Sequence, residues 1–440
     1  MTSSTIVAGL TQDTAFGSLE SALKIWYKDV RIAQECYKGH PFLGLVEKKE
    51  DIGGMAIPVP LIIAPEAAGS ATFSVAQAAE AAGFTPAQFF VTLANDYQCA
   101  SISTKAMLAS IHDAGAFLDL AKAKIDLALH SAARRCSISC FRSADGTVAQ
   151  ISGSPTGGAG AAPLVVTLAA RGQVVAFEVG QVYGITANKT TIVASSTYLQ
   201  VSGVDRSAGT VSFVDTAAGV PNGSTTAAAA ANTYWTSGNY LVPNGDIGAR
   251  QAGLSDLLPP SASAPAALFG LARTTDRVRL AGCFVDGSQL SVQQTLINAG
   301  NAVAEQGVGV PTHVFINWDT YGALLSEINA KTTYMKEVSV KAVKNGQDVG
   351  VSYEGMDIFL AGAGRVTVLP DRDVPTKTGW LLDMSKMRLL SLGPAQRILS
   401  PDGLKWLRQG TADGAELRVG GFYQLITDMP AAHSSFITQY

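Results

Sequence analysis

Residues 50–104 read EDIGGMAIPVPLIIAPEAAGSATFSVAQAAEAAGFTPAQFFVTLANDYQCASIST, a stretch without a single lysine or arginine. Its formal charges are Glu50, Asp51, Glu66, Glu80 and Asp96. Ile52, Ile57, Val59, Leu61 and Ile63, with Val46 ahead of them, alternate with other residues, the two-residue period of an extended chain. Pro58, Pro60 and Pro65 exclude a central strand and leave edge or loop geometry. AAGSATFSVAQAA (67–79) reads as the tip of an excursion, and AQFFVTLANDYQCASIS (87–103) as its strand-like return limb. A two-limbed arm of this length without a compact core is usually functional. It cannot bury its own apolar residues, so it reads as an arm laid on a neighbouring copy of the chain. Glu50, Asp51, Glu66 and Phe73 are its candidate inter-subunit residues.

A helical pattern follows directly. Met107, Ile111, Ala114, Leu118, Ala121, Ile125, Ala128 and Ala132 recur at spacings of four and three, one helix face held for about seven turns. Ser103 is the predicted N-cap. Met107, Ile111, Leu118 and Ile125 are its candidate packing residues. Arg134 and Arg135 are placed at its end. They suit the C-terminal dipole, and they equally suit an acidic arm reaching over from a neighbour.

On the other side of the arm, residues 1–20 read as flexible. Ser21 to Tyr37 reads as a helix, stopped by Gly39 and Pro41. Beyond the long helix, residues 151–248 are rich in Gly, Ala, Ser and Thr and nearly free of charge. Their short strand candidates, LVVTLAA, VVAFEVGQVYGI, TTIVAS, YLQVSGV and TVSFVD, point to an inserted β-rich domain. From Leu268 the chain is mixed. A helix from Leu290 to Gln306 is closed by Gly307 as C′, and HVFIN is a strand. Asn317 caps a helix to Ile328, after which strands dominate: EVSVKAV, GVSYEG, MDIFLAG, RVTVLP, GWLLDM, MRLLSL, LKWLRQ and ELRVGGFYQLITDMP.

The 440 residues carry 15% charged side chains and 47% hydrophobic ones, against a usual charged share of about 25%. Mean hydropathy is +0.20, so much uncharged surface has to be covered in the working state. A membrane is not predicted to cover it, because a spanning helix needs roughly 20 consecutive apolar residues and the apolar runs here are broken by Gly, Pro, Thr and charges. The N-terminus lacks the basic region of a signal peptide. A net charge of −3 gives no general attraction to nucleic acid. Five cysteines (Cys36, Cys99, Cys136, Cys140, Cys283) are odd in number and scattered, which argues against a disulfide framework.

Catalytic and metal motifs are absent from the sequence. Cys136 and Cys140 stand four apart on the long helix, but no second ligand pair is near, and free cysteine packs as a small hydrophobe. Cys36 with His40 is discounted likewise. None of His40, His112, His130, His313 and His433 sits in a recognised catalytic frame. GVGVP (307–311) follows a helix and precedes a strand, the reverse of a phosphate loop. Asp371 and Asp373 in PDRD, between Pro370 and Pro375 and beside Arg372, read as a solvated turn. No cofactor, metal or catalytic residue is predicted, and the chain is read as not an enzyme.

The order of parts resembles the major capsid protein of tailed bacteriophages, the Hong Kong 97-type fold. ALKIWYKDVRIAQECYKGHPFLGLVEKKEDIGG is similar to an N-terminal arm entering the extended E-loop, and VPLIIAPEAAGSATFSVAQA to the distal part of that loop. TKAMLASIHDAGAFLDLAKAKIDLALHSAAR resembles the spine helix. TVLPDRDVPTKTGWLLDMSKMRLL and LRVGGFYQLITDMPAAHSSF resemble late strands of the axial and peripheral domains. The resemblance covers most of the chain outside 151–248 and rests on order and texture.

The resemblance implies an α+β chain divided as N-arm and short helix (1–42), E-loop (43–103), spine helix and start of the peripheral domain (104–150), β-rich insert (151–248), axial domain (249–376) and late axial and peripheral strands (377–440). It implies self-assembly into hexamers and pentamers of an icosahedral phage head around double-stranded DNA, in a virion put together in the host bacterial cytoplasm. Portal and scaffolding proteins, and a cement or decoration protein, would be its partners, with no membrane. Some relatives weld their shells by a lysine–asparagine isopeptide bond from an E-loop lysine. No lysine lies between Lys49 and Lys105, so a non-covalent shell is implied. With about twenty residues ahead of the first helix, a separate scaffold, or none, is expected. An encapsulin compartment is the alternative, although encapsulins are usually smaller. A hydrolase carrying a β-domain is a distant third.

Overall fold

The computed structural model describes residues 40–50, 52–54, 56–64, 69–80, 85–103, 114–157, 163–193, 198–217, 220–221, 234–328, 335–344, 347–360, 362–399, 407–408 and 414–440. The expected helix at Ser21–Tyr37 lies outside them, as do Asp51, Glu66, Met107, Ile111, Cys36 and His112.

The chain is mixed α/β and is organised around three larger sheets and one long helix. The local signals for the C-terminal half act where they are written. Helix Val292–Gln306 begins at Ser291, whose hydroxyl accepts from the Gln294 N–H, and ends at Gly307 in the left-handed conformation (φ 63°). Helix Trp318–Ile328 is capped by Asn317, which accepts from the Thr320 N–H at 2.8 Å. Both pack on a seven-stranded mixed sheet ordered Cys283–Gly287, Ser434–Thr438, Thr378–Leu382, His313–Ile316, Gly364–Pro370, Gln347–Leu360, Met335–Lys344. Val292, Leu296, Val303, Val314, Leu324, Val368 and Phe436 form the core between them. GVSYEG and MDIFL, read as two strands, are one 14-residue strand, Gln347–Leu360. Gln347–Met356 pairs with Met335–Lys344 and Met356–Leu360 with Gly364–Pro370, so no turn interrupts it.

Strands between Ala149 and Pro243 form an eight-stranded sheet of their own. The GVDRSAGT segment is a hairpin connection between Leu199–Asp205 and Thr210–Ala217. Phe177, Tyr183, Phe213 and Trp235 fill a separate core, with the Phe213 and Trp235 ring centroids 4.8 Å apart.

The third sheet joins the remote parts of the chain. Strand Gly414–Thr427 is its hub. It pairs with Ala94–Ser103 from Gly414↔Ser103 to Tyr423↔Ala94, and with Met387–Ser391, which in turn pairs parallel with Glu47–Lys49. The long helix lies against this sheet. It spans Ala114–Phe141 in the described residues. It therefore does not stop at Arg135, where the sequence reading placed its end. Cys136, Cys140 and Phe141 are fully buried and carry it into the central core beside Phe42, Leu254, Phe315, Trp380 and Leu425. Phe141 lies 5.1 Å from Phe42 and 5.8 Å from Trp380 between ring centroids. Burial of that last turn outweighs two arginines that look like a terminus. Gly253 then closes the helix, its N–H donating to the Arg142 carbonyl at 3.1 Å. A Cβ there would meet the carbonyl oxygens of Ser139, Cys140 and Arg142 at 2.3–2.6 Å.

Candidate assembly surface

The arm is built from a two-stranded hairpin, Ile57–Ala64 with Thr85–Val91, and a tip. Val59 faces Phe89 and Leu61 faces Ala87 across the pair, while Pro58 faces Phe90 and Pro60 faces Gln88. Alternation decides the rest. Val59, Leu61, Phe89 and Val91 are buried against Leu280, Leu390 and Ile426 of the same chain. The Phe90 N–H donates to the Phe269 carbonyl at 3.1 Å, and the Phe89 ring meets Phe269 edge-on. Pro58, Pro60, Gln88 and Phe90 point outward, with Phe90 52% exposed. The prolines thus occupy a ribbon with no further strand on it, as their missing N–H requires.

The tip differs from its expected extended form: Phe73–Glu80 is a helix. Phe73 is 79% exposed and Val75 is exposed beside it. A short alanine-rich segment gains helical hydrogen bonds at little side-chain entropy cost. Of the candidate contact residues, Phe73 is thus fully presented. Glu50 sits at the arm's root, where its carbonyl accepts from the Gly393 N–H.

At the return limb's root lies a buried charge cluster that the sequence did not signal. Asp96 is 4% exposed. Its carboxylate accepts from Arg250 at 2.8 Å, from the Tyr423 hydroxyl at 2.8 Å, and pairs with Arg135 at 3.0 Å. Asp246 completes the group, 2.8 Å from Arg250 and 3.6 Å from Arg135. The sequence reading counted Asp96 as one acid of an acidic arm. Its partners lie 154 and 327 residues away for Arg250 and Tyr423, beyond any local pattern. Arg134 pairs with Glu178 of the eight-stranded sheet's segment, which Arg206 also approaches at 3.4 Å. Both arginines that could serve a neighbour's arm therefore have partners within their own chain. Ile125 is buried on the long helix, and Leu118 lies within the same helix.

PDRD is not a solvated turn. Asp371 is 1% exposed and Asp373 4%. His40 Nδ1 lies 2.7 Å from Asp373, the Asp373 N–H donates to Asp371 at 3.0 Å, and the Phe42 N–H reaches Asp371 at 3.4 Å. Arg372, which stays partly exposed, lies 3.2 Å from His40 Nε2. Guanidinium can only donate, so Nε2 accepts and Nδ1 carries the proton toward Asp373. Burial, with the neighbouring Asp373 charge, pushes Asp371 well above the usual carboxylate range. Burial works to raise Asp373, but His40, Ser137 and the Arg372 charge together outweigh it and hold that carboxyl low. The cluster straps the segment entering the arm to the strand end Gly364–Pro370. The sequence missed it because the covering residues, His40 and Phe42, are some 330 positions away.

Among the described residues no group of three His, Cys, Asp or Glu is spaced to hold a metal ion. Cys136 and Cys140 are buried, and Cys136 beside it together with burial raises the Cys140 thiol well above its ordinary value. That environment favours a neutral Cys140 thiol over a metal-binding thiolate. His433 is buried neutral, accepting from the Asp383 N–H at 3.1 Å and contacting the Thr427 hydroxyl at 2.8 Å. No described helix is long and apolar enough to cross a membrane.

No protein-family model matches the chain, and no curated protein matches it. Solved structures give remote similarities. The cyanophage A-1(L) capsid asymmetric unit is 11% identical with a TM-score of 0.47, covering 91% of this chain and 93% of that one. The holo-SrpI encapsulin complex from Synechococcus elongatus is 8% identical with a TM-score of 0.41, covering 90% and 86%. The satellite phage P4 procapsid that includes the size-determination protein is 9% identical with a TM-score of 0.37, covering 98% and 95%.

Proposed function

We propose that this chain is the major shell protein of a tailed-bacteriophage head, assembling as hexamers and pentamers into an icosahedral shell around double-stranded DNA. One observation carries the reading: the arm is fixed to its own body along one face and presents the other. Val59, Leu61, Phe89 and Val91 are used internally, while Pro58, Pro60, Phe90 and the tip residues Phe73 and Val75 face out. An arm anchored at its root and apolar at its tip suits a neighbouring copy of the chain. The low charged share of 15% suits a chain that covers large interfaces on assembly.

Arg134 and Arg135 are committed to Glu178 and Asp96. The clasp is therefore proposed to be mainly apolar and centred on Phe73, with Glu50, Asp51 and Glu66 in a supporting electrostatic role. Without an E-loop lysine the shell is non-covalent, and a cement protein, a scaffold and a portal are the partners this reading entails. The test is electron microscopy of the chain co-expressed with its neighbouring genes. Closed particles holding nucleic acid support the proposal. Particles holding a cargo protein instead make it an encapsulin shell. A chain that stays monomeric overturns both.

A further inference from the structure

Arg135, Ile138 and Ser139 share one face of the long helix, and Arg142, the first residue past its end, follows at i+7 with its N–H still on the Ile138 carbonyl. Between that face and the eight-stranded sheet lies a half-open pocket of about 220 Å³, lined also by Tyr183, Asp246 and Arg250. Arg135 and Arg250 share Asp96 and Asp246, two cations on two anions. Arg142 is a third cation. Its side chain makes no ion pair or hydrogen bond among the described residues, and its Nε is buried without a partner. Burial pushes its guanidinium down to about 10, an effect larger than the opposing pull of the Asp373 and Asp145 charges. A second unpartnered buried nitrogen, Arg135 Nε, belongs to the same lining. The Tyr183 hydroxyl adds a neutral polar group, donating to Gln181 at 2.7 Å.

A desolvated cation without an ion-pair partner is destabilising by itself, and a guanidinium fork matches oxyanion geometry. The geometry points to an anion site between the long helix and the eight-stranded sheet, in which Arg142 binds a small free tetrahedral oxyanion of the phosphate type. Bound there, the anion pairs with Arg142 and bridges the two units. The inference is independent of the shell reading, because it concerns the folded chain before any assembly.

The test is calorimetric titration of the full, unassembled chain with inorganic phosphate at pH 7.5 and constant ionic strength, beside a thermal scan. Saturable binding is expected, with a rise in Tm that sodium chloride does not reproduce. Arg142→Gln should weaken binding at least tenfold, with Arg142→Lys in between. Without phosphate, Arg142→Gln should unfold no earlier than the parent, because it removes a desolvated guanidinium that has no direct partner. That result separates an anion ligand from a merely structural arginine. Absence of saturation, equal affinity in Arg142→Gln, or a lowered Tm of that variant in phosphate-free buffer would overturn the inference. So would binding only of a single-stranded oligonucleotide at equal phosphate content.

Discussion

Asp96→Asn should cost about 3 kcal/mol of folding stability, at the low end of the penalty for breaking a buried ion pair. The magnitude follows from what the carboxylate holds. Asp96 is buried and engages Arg250 at 2.8 Å, Arg135 at 3.0 Å and the Tyr423 hydroxyl at 2.8 Å. The amide keeps one acceptor oxygen but turns an N–H₂ toward a guanidinium. Arg250 retains Asp246 at 2.8 Å, and Arg135 is partly exposed and can hydrate, so the loss stays below the upper end of the range. Asp96→Ala also strands the Tyr423 hydroxyl, which adds about 1–2 kcal/mol. Urea unfolding of the unassembled chain is the assay, read as a fall in midpoint at unchanged m-value. Hydrogen exchange should rise along Ala94–Ser103, because Asp96 ties that strand to the long helix through Arg135. High salt should not restore stability, since buried pairs are little screened. A loss below about 1 kcal/mol, or a double-mutant cycle of Asp96→Asn with Arg250→Met showing no coupling, would refute this account.

Two buried groups should give pH dependences of opposite sign. Burial pushes His433 down to about 4, so below the ordinary value near 6.5 the unfolded chain takes a proton the folded one refuses. Stability then falls as pH drops from about 6.5 to 4, by up to about 3 kcal/mol, and His433→Gln should flatten that slope in urea midpoints. Asp371 is raised, so the folded state takes the proton first and stability rises as pH falls toward the ordinary carboxylate value; Asp371→Asn should remove this opposing gain and steepen acid loss. Gly253→Ala should cost about 2 kcal/mol by overpacking, because its Cβ would meet three helix-end carbonyls within 2.6 Å; an unchanged thermal midpoint would contradict the closure described. Phe73→Ser should leave the chain's stability unchanged, since the side chain is exposed, yet cut particle yield by electron microscopy. Changing Glu50, Asp51 and Glu66 together to Ser should weaken assembly most at low salt, and a yield flat across a salt series would remove their electrostatic role.

The sequence by itself determined what rests on short-range geometry. Gly307 and Asn317 mark helix ends because caps act within three or four residues, and the structure has them as caps. Pro58 and Pro60 confine their segment to a ribbon because a missing N–H is a property of one residue, and the alternation of Val59 and Leu61 follows from the period of two. Tertiary structure alone decided where charge is buried and where an element stops in the core. Asp371 and Asp373 look like a solvated turn until His40 and Phe42 cover them. Asp96 looks like one acid among five until strand Gly414–Thr427 carries it to Arg250, Arg135 and Tyr423. Arg134 and Arg135 look like a helix terminus until Phe141 finds Phe42 and Trp380. The physical reason is the same in each case: a hydrogen bond or cap is set by neighbours a few residues away, whereas desolvation is set by whichever distant segments the sheets bring overhead.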